Sequence, residues 1–120
     1  MIDHSKAAVD LPLEQQAIRD KCFHPSGDFV EFLEEEVEQS IPERFEKIVR
    51  LYPHRLAIKG KDTSFTYEEL NDHANRIAHS ILAAVGTGNR PVAILMKHGA
   101  SVVAAIQGAL KAGKIYVPLD

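Results

Sequence analysis

The sequence predicts an α/β fold in which a helix, a β-hairpin and a longer helix lead into a parallel βαβ unit. Three observations carry that reading. Two capping signatures, Ser40-Ile41-Pro42-Glu43 and Thr66-Tyr67-Glu68-Glu69, each precede apolar residues at helical spacing. A turn-rich segment, Gly60-Lys61-Asp62-Thr63, separates two short β-prone runs. Apolar runs at Val92 to Met96 and Ile115 to Val117 flank a helical stretch at Ala100 to Ala112.

Residues 1–39 differ from the rest and read as a leader segment that could dock short helices on the domain surface. They carry Pro12, Pro25 and Gly27, with an acidic run over 28–38 at Glu31, Glu34, Glu35, Glu36 and Glu38. Leu13 to Cys22 has the length of a short helix. Phe29, Phe32, Leu33 and Val37 recur at helical spacing and predict an amphipathic one. Such a run of carboxylates is most simply the solvated face of a helix, and secondarily a recognition surface for a basic partner.

The organised part, residues 40–120, starts at Ser40, whose hydroxyl caps a helix running to about Tyr52. Ile41, Phe45, Ile48, Val49 and Tyr52 form its apolar face. Pro53 ends it by removing a donor and restricting the residue before it. Arg55 to Lys59 and Ser64 to Thr66 come next as strands of a hairpin. Thr66 then caps a long helix with Leu70, Ala74, Ile77, Ala78, Ile81, Leu82 and Val85 on one face, ended by Gly86-Thr87-Gly88. The strands around Ala100 to Ala112 must be parallel, because a crossover helix joins them. That helix carries Val102, Val103, Ala104, Ala105, Ile106, Ala109 and Leu110, an arc wider than one sheet face needs. The expectation is an incomplete domain, with further chain covering the surplus and the sequence stopping mid-fold.

Composition sets outer bounds. The 120 residues suit one domain, and 45% apolar with 26% charged residues is an ordinary globular balance. A formal charge of −3 with scattered basic residues supplies no cationic stripe, which excludes nucleic acid as a natural partner. No run has the length or pattern of a membrane span or a secretory signal, so a cytoplasmic location without membrane association is expected. The single cysteine, Cys22, has no second thiol for a disulfide, redox pair or metal site.

Several segments imitate chemical motifs. Gly108-Ala109-Leu110-Lys111-Ala112-Gly113-Lys114 has phosphate-loop spacing, but Ile115 lacks the hydroxyl that would meet magnesium, and the segment runs from helix to strand, the reverse of the required context. Gly113 reads instead as a helix C-terminal residue. Gly86-x-Gly88 fails as a dinucleotide fingerprint because Pro91 stands at the third glycine. His4, His24, His54, His73, His79 and His98 show no ligand spacing. His98 is the most interesting of them, since it occupies a strand-to-helix loop where open α/β sheets place ligand contacts. Ser101 lacks the glycine frame of a nucleophile elbow.

Two segments carry a resemblance. Leu110-Lys111-Ala112-Gly113-Lys114-Ile115-Tyr116-Val117-Pro118-Leu119-Asp120 closely resembles an early core motif of the amino-acid adenylation domains of nonribosomal peptide synthetases. Upstream, Phe65-Thr66-Tyr67-Glu68-Glu69-Leu70-Asn71 resembles the first core motif of the same family, and Ala74-Asn75-Arg76-Ile77-Ala78 continues it. The likeness runs from about Ser40 to Asp120. It departs at Lys114-Ile115, where the family usually has small residues. Acyl-CoA synthetases and other enzymes that activate fatty or aryl acids share the architecture, while the Leu-Lys-Ala-Gly and Tyr-x-Pro-x-Asp forms favour the amino-acid branch.

The resemblance implies the N-terminal part of an AMP-binding, adenylate-forming ligase. Such enzymes use ATP and Mg2+ to turn an amino acid into an aminoacyl-AMP, then pass it to the phosphopantetheine thiol of a carrier protein. The family's phosphate loop, substrate pocket and catalytic lysine lie downstream of both motifs. No residue here therefore receives a catalytic, cofactor-binding or metal-binding role, and this stretch alone is not expected to be active. Two other readings remain: a non-catalytic interaction module that docks a partner through exposed apolar surface, and, more distantly, a dinucleotide-binding oxidoreductase.

Overall fold

The computed structural model describes residues 12–21 and 32–119. The chain divides into two compact units, Met1–Glu34 and Glu35–Asp120. The first contains α1 (Leu13–Lys21), which begins where Gln15 and Gln16 donate backbone N–H groups to the Pro12 carbonyl. Cys22, His4 and His24 lie outside the described residues, as do Phe29 and Glu31. Of the amphipathic helix predicted around Phe29 to Val37, residues 29–31 lie outside the described residues; Phe32 and Leu33 are not helical, and a short 3-10 helix, Glu34–Glu38, follows them. Ser40 is extended (φ −68°, ψ 155°) where it caps the helix that starts at Ile41, so the acidic segment and that helix are separate.

The second unit opens with Glu36, 6% exposed, which accepts from Arg44 and Lys47 on α2 (Ile41–Leu51). At the head of α2 the capping box closes: Glu43 N–H donates to Ser40 Oγ at 3.3 Å, and Ser40 N–H donates to Glu43 Oε2 at 2.8 Å. Val49 is buried and Phe45 and Ile48 half-buried, as the spacing predicts, but Ile41 is 62% exposed. It sits in the first turn, before the helix meets the core.

β1 (Leu56–Lys59) and β2 (Ser64–Thr66) pair antiparallel, with an irregularity between Leu56 and Ile58. Arg55 stays out of the strand and sets its guanidinium 4.0 Å above the Tyr52 ring. Thr66 and Glu69 form a second capping box, which turns β2 directly into α3 (Tyr67–Val85). α3 buries Leu70, Ala74 and Ala78, and ends at Gly86, whose φ of 69° only glycine holds without strain.

β3 (Pro91–Leu95) and β4 (Ile115–Leu119) are parallel over five register pairs, from Pro91 with Ile115 to Leu95 with Leu119. Between them α4 (Ala100–Lys111) buries Ala100, Ala104, Ala105, Gly108 and Ala109. These small residues let α4 approach α3 closely: a Cβ at Gly108 would stand 2.6 Å from Ile77 Cγ2. Much of the wide apolar arc on α4 is therefore covered from within, by α3. Uncovered apolar surface remains on the strands as well. All five residues of β4 are exposed, and Leu95 on β3 is 72% exposed. β4 also runs two residues further than predicted, through Pro118. Phe65, Leu70, Ala100 and Ala104 form the core, with Phe45, Ala57, Ile58 and Ile77 packed against it.

Candidate functional site

Ligands of open parallel sheets sit beyond the carboxyl ends of the strands. Here that end is the loop leaving β3 and the last residue of β4. Leu95, Met96, Lys97, His98 and Leu119 line a shallow depression of about 410 Å³ there. Its walls are largely apolar, with Lys97 and His98 as the polar groups. Ser101, in the first turn of α4, is exposed and not part of this lining.

The other candidates go to separate places. The His73 ring sits against Phe65, centroids 4.8 Å apart, at the edge of the core. His54 Nδ1 is 3.6 Å from Glu68 Oε2 on the surface. His79 lines a second depression of about 250 Å³, beside Glu46 and Lys111. Glu46 accepts from Lys111 Nζ, which ties α2 to the end of α4.

The glycine-lysine segment that imitates a phosphate loop is absorbed by packing. Gly108 seats Ile77, and Gly113 (φ 67°) ends α4. Lys114 is buried, with Nζ donating at 2.6 Å to the carbonyls of both Gly86 and Gly88. Sequence reasoning missed that contact, since a separation of 28 residues leaves no local signal. Its one visible trace was the departure from small residues at this position.

Two glutamates carry shifted pKa values. The backbone N–H of Ser40, then its hydroxyl, hold the Glu43 carboxyl below the ordinary 4.5. Thr66 does the same to Glu69. Both shifts belong to helix caps, not to a reacting centre. Among the described residues no three His, Cys, Asp or Glu side chains converge as a metal would require. Lys114 Nζ, engaged with two backbone carbonyls, is not placed as the lysine of a phosphate loop would be.

A parallel βαβ unit preceded by a capped helix and a hairpin defines an α/β architecture. A family model described as AMP-binding enzyme matches residues 45–120, and the chain belongs to that family. It is similar to gramicidin S synthase 2 of Brevibacillus brevis, 39% identical over 82 residues, which is 68% of this chain and 2% of that relative. Surfactin synthase subunit 2 of Bacillus subtilis (strain 168) is 42% identical over 77 residues, 63% of this chain and 2% of the relative. Among solved structures, a nonribosomal peptide synthetase with α-methyl-L-serine-AMP bound superposes with a TM-score of 0.65 at 32% identity, covering 68% of this chain and 9% of the other. A fatty acid AMP ligase from Legionella pneumophila gives 0.64 at 25% identity, covering 74% and 16%. The mixed helix and strand architecture is thus that of adenylate-forming enzymes, and the likeness read from Phe65 to Asn71 and Leu110 to Asp120 holds. The chain spans only 2% of the length of each of these two curated relatives.

Proposed function

We propose that this chain is the N-terminal part of an amino-acid-activating, adenylate-forming ligase of nonribosomal peptide synthesis. The parent enzyme uses ATP and Mg2+ to make an aminoacyl-AMP and then loads a carrier protein's phosphopantetheine thiol. Its immediate partner is the remainder of the adenylation domain, with residues 1–39 as a leader and 40–120 as the start of that domain. The setting is the cytoplasm; among the described residues no helix is long and apolar enough to cross a membrane.

The observation that carries the reading is the similarity to gramicidin S and surfactin synthases across most of the organised part of the chain. The geometry is consistent with a scaffold role. The first motif is a strand capped into a helix, and the second is a helix end leading into a parallel strand. No catalytic step is assigned to a residue of this segment.

The test is amino-acid-dependent ATP–pyrophosphate exchange by the protein isolated from its native source, after its intact mass is measured. Exchange driven by an amino acid supports the proposal. Activity with fatty or aryl acids and coenzyme A alone moves the protein to the acyl-CoA synthetase branch. A mass equal to 120 residues, with no exchange, replaces the ligase by a non-catalytic interaction module.

A further inference from the structure

Lys114 is 4% exposed, and its tip is the most polar part of the side chain. A buried ammonium is costly unless oxygen ligands replace its water. Two do: the carbonyls of Gly86 and Gly88, each 2.6 Å from Nζ. Gly86 and Gly88 have φ of 69° and 97°, and no heavy atom lies within 4 Å of where either Cβ would stand. Glycine is needed at both positions for backbone conformation, not to relieve crowding. Left-handed backbone on both sides of Thr87 lets two carbonyls, two residues apart, face one point, and convergent carbonyls of this kind are ligands for a cation.

The amine arrives from a fixed direction. Gly113 (φ 67°) ends α4, and Lys114 N–H donates to the Ala109 carbonyl at 2.9 Å. The next residue, Ile115, donates its N–H to the Arg90 carbonyl at 3.3 Å and opens β4 opposite Pro91. The glycine turn, the start of β3 and the start of β4 therefore meet around one ammonium group.

We propose that the Gly86–Gly88 turn is a monovalent-cation site whose built-in occupant is the Lys114 ammonium, and that this occupancy holds the amino end of the β3–β4 pair closed. The ligand class is a primary ammonium ion, which has three N–H donors and here uses two on these carbonyls. Shortening the side chain leaves a site that takes the same group from solution.

The experiment uses Lys114→Ala and Lys114→Met in the full chain, with amide hydrogen exchange of residues 86–90 and 115–117 as the readout. Both variants exchange at least about tenfold faster there, the loss expected for a charged hydrogen-bonding group, while the hairpin over 56–66 is unchanged. Propylammonium chloride restores protection to Lys114→Ala and not to Lys114→Met, whose side chain fills the space. Tetramethylammonium chloride, which cannot donate, restores neither. Wild-type protection in Lys114→Met overturns the proposal, because the aliphatic stem alone would then suffice. Equal effects of propylammonium and tetramethylammonium overturn it as well. Should the variants not fold, acylation of the native wild type decides: Lys114 reacts at least about tenfold slower than the exposed Lys59, Lys61 and Lys97, and equal rates overturn the proposal.

Discussion

A methyl group added at Gly108 would stand 2.6 Å and 2.7 Å from two atoms of Ile77 and 3.0 Å from the Ala74 carbonyl. Helix backbone and a β-branched side chain cannot yield cheaply. Gly108→Ala is expected to cost about 1–3 kcal/mol by overpacking, and Gly108→Val more, both read as lower urea midpoints. The two capping glutamates set a pH dependence. Their folded pKa values are depressed below 4.5, so the stability they add is present above that value and lost as the pH falls through the lower folded one. Glu43→Gln and Glu69→Gln should flatten the acid limb of a urea-midpoint-against-pH profile; an unchanged limb would remove the caps as its cause. Ser40→Ala should cost about 1 kcal/mol through the lost cap. These caps were legible because a hydroxyl and a carboxylate three residues apart act locally. Gly108 and Lys114 were not, since each takes its meaning from a partner on α3 or just beyond it.

Elements obeyed their periodicity where nothing overruled it. α2, α3 and α4 fall within a residue or so of the bounds that apolar spacing and caps predict. The exceptions have physical causes. Ser40's extended backbone separates the acidic segment from α2, and within that segment Glu36 is drawn out of solvent by Arg44 and Lys47. β4 passes through Pro118 because it pairs along β3, where a residue without an N–H is tolerated in an edge strand. The pairing of α2 with α4 through Glu46 and Lys111 is open to a double-mutant cycle. With Glu46 half-exposed, the Glu46→Gln and Lys111→Met cycle should give a coupling of about 1 kcal/mol that shrinks in salt. Zero coupling at low salt would reduce the pair to a surface coincidence.

For the whole molecule, the β3–β4 strands are one source of exposed apolar surface, with Leu95, Ile115, Tyr116, Val117 and Leu119 all exposed, and residues such as Val37, Leu51 and Leu56 add to it. Residues 1–120 produced alone should therefore bind a hydrophobic dye and self-associate as concentration rises, by light scattering. They should give no amino-acid-dependent ATP–pyrophosphate exchange, and exchange by a mass-verified 120-residue chain would show that the phosphate chemistry does lie within it. Family was legible here through two short motifs. Chemistry was not, because those motifs encode a capped helix and a helix-to-strand exit.

The seat of Gly108 on Ile77 also fixes a timetable. Ile77 and Gly108 are 31 residues apart, a stretch that a ribosome adding about 5–20 residues per second completes in roughly 2–6 s. During that interval α2 and the hairpin have left the exit tunnel and the rest of α3 follows, while the Ala74 and Ile77 face is still bare. Closure waits for Gly108 to emerge, and for those seconds the nascent chain presents that face to whatever chaperone stands at the tunnel mouth.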